Sequence, residues 1–123
     1  QTDDTILFFE DVATKPYQID RMLVQLQLAG KLDRARGIIF GPMRDCVQPG
    51  QPVDMLEKVL LRVLADFAGP IAIGLRSGHV TERNLTLPIG IQSELDLTHD
   101  PVLRFLEAAV TLETRTHAKF TKS

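Results

Sequence analysis

The sequence predicts an α/β domain in which a parallel βαβαβ layer with two helices packs on an antiparallel β layer. Three short apolar runs, residues 5–9, 37–41 and 70–75, alternate with two amphipathic stretches of helical period. After residues 76–80 the pattern changes to twofold alternation, with a bend at Gly90 and a hairpin beyond it. At 123 residues, 44% hydrophobic and 24% charged, the chain has the size and composition of one globular domain.

The first strand, residues 5–9, is apolar without interruption, as expected of a strand buried on both faces, and Glu10 and Asp11 close it. Pro16 suits the first turn of a helix. Ile19, Met22, Leu23 and Leu26 form its buried face, while Asp20, Gln25 and Gln27 face outward and Gly30 ends it. Arg21 lies beside that face, as a solvated charge or an interface anchor. The second strand is Gly37-Ile38-Ile39-Phe40-Gly41. A loop with three prolines follows, and Cys46 in its middle reads as an incidental thiol, with no base nearby to activate it.

Asp54 and Glu57 have capping-box spacing at the start of the second helix. Leu56, Val59, Leu60, Val63, Leu64 and Phe67 form its apolar stripe. Gly69-Pro70 stops it, and the third strand, apolar enough to be buried, runs into Arg76-Ser77-Gly78-His79-Val80. Leu85, Leu87 and Ile89 then alternate with polar residues and proline, suggesting a half-buried strand. Residues 94–98 and 102–106 pair as a hairpin around Thr98-His99-Asp100-Pro101. Residues 1–4 read as a linker remnant, 5–110 as the domain and 111–123 as a polar tail.

Several function classes are disfavoured. A net charge of −2 gives no basic footprint for nucleic acid. The apolar runs are far shorter than the ~20 residues that span a bilayer. One cysteine allows no intrachain disulfide, and the three histidines lack metal-ligand spacing, so neither a metal nor another cofactor is expected. No secretory signal is visible at Gln1, and a single cysteine is compatible with the cytoplasm. The chain starts almost directly on a strand without a methionine, which suggests a piece of something longer, although a cleaved tag would look the same.

The chemistry points to two residues. Parallel strands send their C-terminal ends to one edge, so Glu10 and His79 arrive at the same edge. Strand order 1-2-3 follows if both helices cover one face, leaving them ~10 Å apart for the loops to close. Order 2-1-3 would make their strands neighbours and put the helices on opposite faces; the first arrangement is favoured. Asp11 rivals Glu10, since successive residues face opposite sides. Ser77 is not a credible nucleophile: two residues along an extended chain it lies ~7 Å from His79 and has no strained elbow. His99 and His117 read as solvated.

Ile6-Leu7-Phe8-Phe9-Glu10-Asp11-Val12, then Pro16-Tyr17-Gln18-Ile19-Asp20-Arg21-Met22-Leu23, resembles the start of the C-terminal domain of LD-carboxypeptidases, or muramoyltetrapeptide carboxypeptidases. Gly37-Ile38-Ile39-Phe40-Gly41 is similar to the next family segment. Gly78-His79-Val80, with Asn84 and Leu87-Pro88-Ile89-Gly90, is similar to the family's histidine motif. The resemblance implies a swivelling β/β/α-type domain of a serine peptidase with a Ser-His-Glu triad. Glu10 would be the acid and His79 the base, with the serine on an N-terminal domain that this chain does not contain. It further implies a muropeptide substrate that loses its terminal D-alanine in cytoplasmic murein recycling, and a homodimer. A related branch cleaves a microcin-type antibiotic conjugate as self-immunity. The rival class is a non-catalytic binding or dimerisation module in which Glu10 and His79 are structural.

Overall fold

The computed structural model describes residues 1–110. Strands β1 (Ile6–Phe9), β2 (Gly37–Phe40) and β3 (Ile71–Ile73) form a parallel sheet in the order β1-β2-β3. Helices α1 (Pro16–Leu28) and α2 (Met55–Val63) make the crossovers. Strands β4 (Ser93–Asp96) and β5 (Val102–Phe105) form a separate antiparallel pair. The mixed α/β class and the 1-2-3 order are as the sequence predicts. None of the described helices is long and apolar enough to cross a membrane.

The middle strand is the most deeply buried element. All four residues of β2 are buried, with Ile38 and Phe40 turned to the helices and Ile39 to the opposite face. Ile19 and Leu23 of α1, and Leu56, Leu60 and Leu64 of the α2 stripe, complete the core under the sheet. On the other face, Leu95 and Leu103 of the hairpin pair with each other and border a groove with Ile39 and Ala72. The outer strands are only half-buried, contrary to the expectation for the first and third runs. With three strands, β1 and β3 are both edges, and Ile73 is 45% exposed.

Helix α1 starts on Pro16 as its first residue and ends in a Schellman arrangement. Gly30, at φ +66°, donates to the Gln27 carbonyl, and Lys31 donates to Leu26. Gly30→Ala should therefore cost about 1 kcal/mol in denaturant unfolding and leave the distant histidine turn unaltered. Three predicted helix details are corrected. Met22 is exposed, bordering an open groove with Phe9 and Met43, because α1 lies beside the edge strand. Asp20 and Gln27 turn toward α2 rather than outward: Asp20 pairs with Arg62, and Gln27 Nε2 donates to the Val63 carbonyl at 2.8 Å. Asp54 makes no capping bond; its backbone is not extended, and its carboxylate meets Lys58 at 2.7 Å. Arg21 is exposed and sits over the Tyr17 ring.

Cys46 lies in the loop after β2 and is fully buried in the core. The loop that carries it folds back, with the Ala13 N–H donating to the Arg44 carbonyl. The expected strand at 85–89 does not form. The segment gives one backbone bond, Leu85 N–H to the Arg76 carbonyl, and no strand pairs with it among the described residues. Pro88 has no N–H to offer, and Leu85 and Ile89 are exposed. The hairpin forms where predicted. Asp96 opens its turn by accepting from the Thr98 N–H and hydroxyl. Residues 111–123, including the expected tail and His117, lie outside the described residues.

Candidate functional site

The parallel strands bring Glu10, Gly41 and the turn after β3 to one edge of the sheet. Glu10 and that turn start two strands apart, and the local folding that closes the gap depends on β2. The N–H groups of Gly74 and Leu75 both donate to the Phe40 carbonyl, at 2.9 and 3.1 Å. This bends the chain leaving β3 over the end of β2 and toward β1. Glu10 reaches from the other side across Gly41. A Cβ on Gly41 would stand 2.5 Å from Glu10 Cγ and 3.0 Å from the Ser77 carbonyl oxygen. Gly41 is the gap through which the glutamate crosses.

Glu10 and His79 meet directly. His79 Nδ1 lies 2.9 Å from Glu10 Oε2 and 3.0 Å from Oε1, and the His79 backbone N–H also donates to Oε1 at 3.0 Å. The carboxylate is therefore anchored to both the ring and the main chain of one residue. A carboxylate only accepts, so Nδ1 carries a proton, and in the neutral ring Nε2 then presents its lone pair. Nε2 has no hydrogen-bond partner among the described residues. The Glu10 side chain is 12% exposed and that of His79 is 56% exposed, so the acid is sheltered while the imidazole remains accessible.

Gly78 completes the cradle. Its φ is +116°, and a Cβ there would fall 2.3 Å from Glu10 Cδ. The turn is closed from its far side as well. Ser77 Oγ donates to the Leu85 carbonyl at 2.8 Å, Arg76 pairs with Glu82 at 2.7 Å, and the Asn84 amide bonds to Gly78. The Ser77 hydroxyl is thus engaged in holding the loop, consistent with setting it aside as a nucleophile.

Asp11 does not reach His79. Its carboxylate accepts from the Val12 N–H and the Thr14 hydroxyl, both at 2.8 Å, and holds the loop before α1. Of the two candidate acids, only Glu10 meets the histidine. His99 is exposed in the hairpin turn. Gly41 has no chemistry of its own to mark it in the sequence; its one signal is that a glycine ends the middle strand between two candidate residues.

Cys46 takes no part in the site. Its Sγ is directed at the Asp11 and Arg44 carbonyls, and burial pushes the thiol pKa up. The folded chain should resist iodoacetamide at neutral pH and react once denatured. Because the raised value belongs to the folded state, its stabilising contribution is complete below the unfolded thiol's range and is lost as pH rises from there through the raised folded value.

The LD-carboxypeptidase C-terminal domain family matches residues 1–95. A Synechocystis protein named as a carboxypeptidase is 39% identical over 95 residues, covering 76% of this chain and 31% of the relative. A Bacillus subtilis protein named as a murein peptide carboxypeptidase is 33% identical over 111 residues, covering 89% of this chain and 34% of the relative. Among solved structures, muramoyltetrapeptide carboxypeptidase from Oxalobacter formigenes superposes with a TM-score of 0.69 at 25% identity, covering 82% of this chain and 35% of that one. The microcin C7 self-immunity protein MccF, in complex with glutamyl sulfamoyl guanosine, superposes with a TM-score of 0.64 at 26% identity, covering 74% and 27%. The chain spans about a third of the length of the relatives it matches.

Proposed function

This chain belongs to the LD-carboxypeptidase C-terminal domain family, and on that premise we propose that it completes the catalytic triad of a serine LD-carboxypeptidase. The observation that carries the reading is the contact between Glu10 and Nδ1 of an exposed histidine whose Nε2 faces no partner among the described residues. That arrangement suits a general base waiting for a hydroxyl from outside the domain.

In the proposed reaction, His79 Nε2 accepts the serine proton as the hydroxyl attacks the scissile carbonyl, then returns it to the leaving amine. Glu10 holds the imidazole by Nδ1 and stabilises the imidazolium. The serine and the oxyanion donors belong to the remaining part of the longer protein. The murein tetrapeptide is the preferred substrate, in line with the murein peptide and muramoyltetrapeptide carboxypeptidase names of the Bacillus and Oxalobacter relatives, and the residue released is its terminal D-alanine. A cytoplasmic location and a homodimer belong to the same proposal.

The test is D-alanine release from a murein tetrapeptide by the 123-residue chain and by the longer protein that carries it. The chain alone is expected to be inactive and the longer protein active. Hydrolysis by the chain alone, or inactivity of the longer protein toward this peptide, would overturn the reading.

A further inference from the structure

Asn84 holds Gly78 from both sides. Its Oδ1 accepts from the Gly78 N–H at 3.0 Å, and its Nδ2 donates to the Gly78 carbonyl at 3.0 Å. The second bond falls on the peptide unit that joins Gly78 to His79. The other end of that unit is the His79 N–H, which donates to Glu10 Oε1. One peptide plane is therefore fixed at its oxygen by Asn84 and at its nitrogen by Glu10. The Val80 N–H shares the same carbonyl at 2.9 Å, closing a three-residue turn with His79 at its centre.

Loop closure alone does not require this clamp. The Arg76–Glu82 pair, the Leu85 N–H to the Arg76 carbonyl, and the Ser77 hydroxyl to the Leu85 carbonyl already tie the two ends of the loop. What Asn84 adds is the orientation of one peptide at a glycine that has many conformations open to it. We propose that Asn84 is a positioning residue for His79. Its amide fixes the Gly78–His79 peptide plane, and through it the direction in which the ring presents Nε2. This inference rests on the reading of His79 as the general base.

Asn84→Ala removes both bonds. Asn84→Asp keeps an acceptor for the Gly78 N–H and loses the donor to the carbonyl. In the 123-residue chain, both variants should speed hydrogen exchange of the His79 amide by about tenfold or more, with Ile38 and Phe40 unchanged. Both should also move the His79 ring nitrogen chemical shifts away from the Nδ1–H tautomer. In the longer protein, kcat should fall by about a hundredfold in both, with KM within a few-fold of the parent.

A residue that merely closed the loop would tolerate aspartate. Parent-like exchange and ring shifts in Asn84→Asp, or unchanged kcat in an otherwise active longer protein, would overturn the proposal. If the unsubstituted longer protein does not hydrolyse murein tetrapeptide, the functional reading fails, and the exchange and ring-nitrogen results alone decide the positioning role.

Discussion

Replacing His79 by alanine in the longer protein should abolish measurable turnover, a loss on the order of 10⁶-fold, because the base is removed outright. Glu10→Gln should cost about 10⁴-fold by a different route. Both carboxylate oxygens lie within 3.0 Å of Nδ1, and Oε1 also receives the His79 backbone N–H. In the glutamine variant, an oxygen kept at the backbone bond places the amide nitrogen against Nδ1. That nitrogen donates, so the ring proton moves to Nε2, the atom that must accept from the serine. Unfolding free energy of His79→Ala should change by about 1 kcal/mol, since the imidazole is largely exposed while the sheltered Glu10 carboxylate loses its ring partner and keeps only the backbone N–H. Steady-state kinetics alongside denaturant melts would check both. If Glu10 and His79 were structural only, turnover would survive both changes.

The second large effect is expected at Gly78. Alanine there meets two separate penalties. A φ of +116° is strained for any L-residue, at a cost of about 1–3 kcal/mol, and the new methyl would overlap Glu10 Cδ at 2.3 Å. Relief requires the carboxylate or the turn to move, which separates the acid from the imidazole and should lower kcat by at least about a hundredfold. Gly90→Ala is the matching control. Its φ is +84°, but nothing lies within 4 Å of the added Cβ. That variant should lose stability with kcat close to the parent. Equal kinetic loss in the two variants would mean that general loosening, not displacement of Glu10, is responsible.

These two predictions depend on features of unequal visibility in the sequence. The pairing of Glu10 with His79 was legible because parallel strands share a C-terminal edge, and two apolar runs delivered one carboxylate and one histidine there. How they cross the intervening strand was not legible. It depends on two N–H groups folding onto one Phe40 carbonyl and on the missing Cβ of Gly41, neither of which has a periodic signature. The choice between Glu10 and Asp11 was likewise left to strand alternation and resemblance, whereas the structure gives Asp11 its own partners in the loop before α1.

Periodicity also misled in identifiable ways. Leu85, Leu87 and Ile89 alternate as a strand would, but alternation cannot say whether a partner edge exists, and none pairs with the segment among the described residues. The first and third runs are apolar enough for burial on both faces, yet their place at the margins of a three-stranded sheet leaves them half-covered. Cys46 sits in a loop of prolines and polar residues, and the fold-back of that loop onto residues 11–13, between β1 and α1, buries it.

Whether His79 serves a serine is decided by the distance from its Nε2 to the nearest serine Oγ in a crystal structure of the longer protein. A triad predicts a serine from outside this chain within ~2.6–3.2 Å of Nε2, with Glu10 still on Nδ1. An Nε2 that faces bulk solvent or an apolar wall, with no hydroxyl in reach, would mean that His79 is not the base of a serine triad.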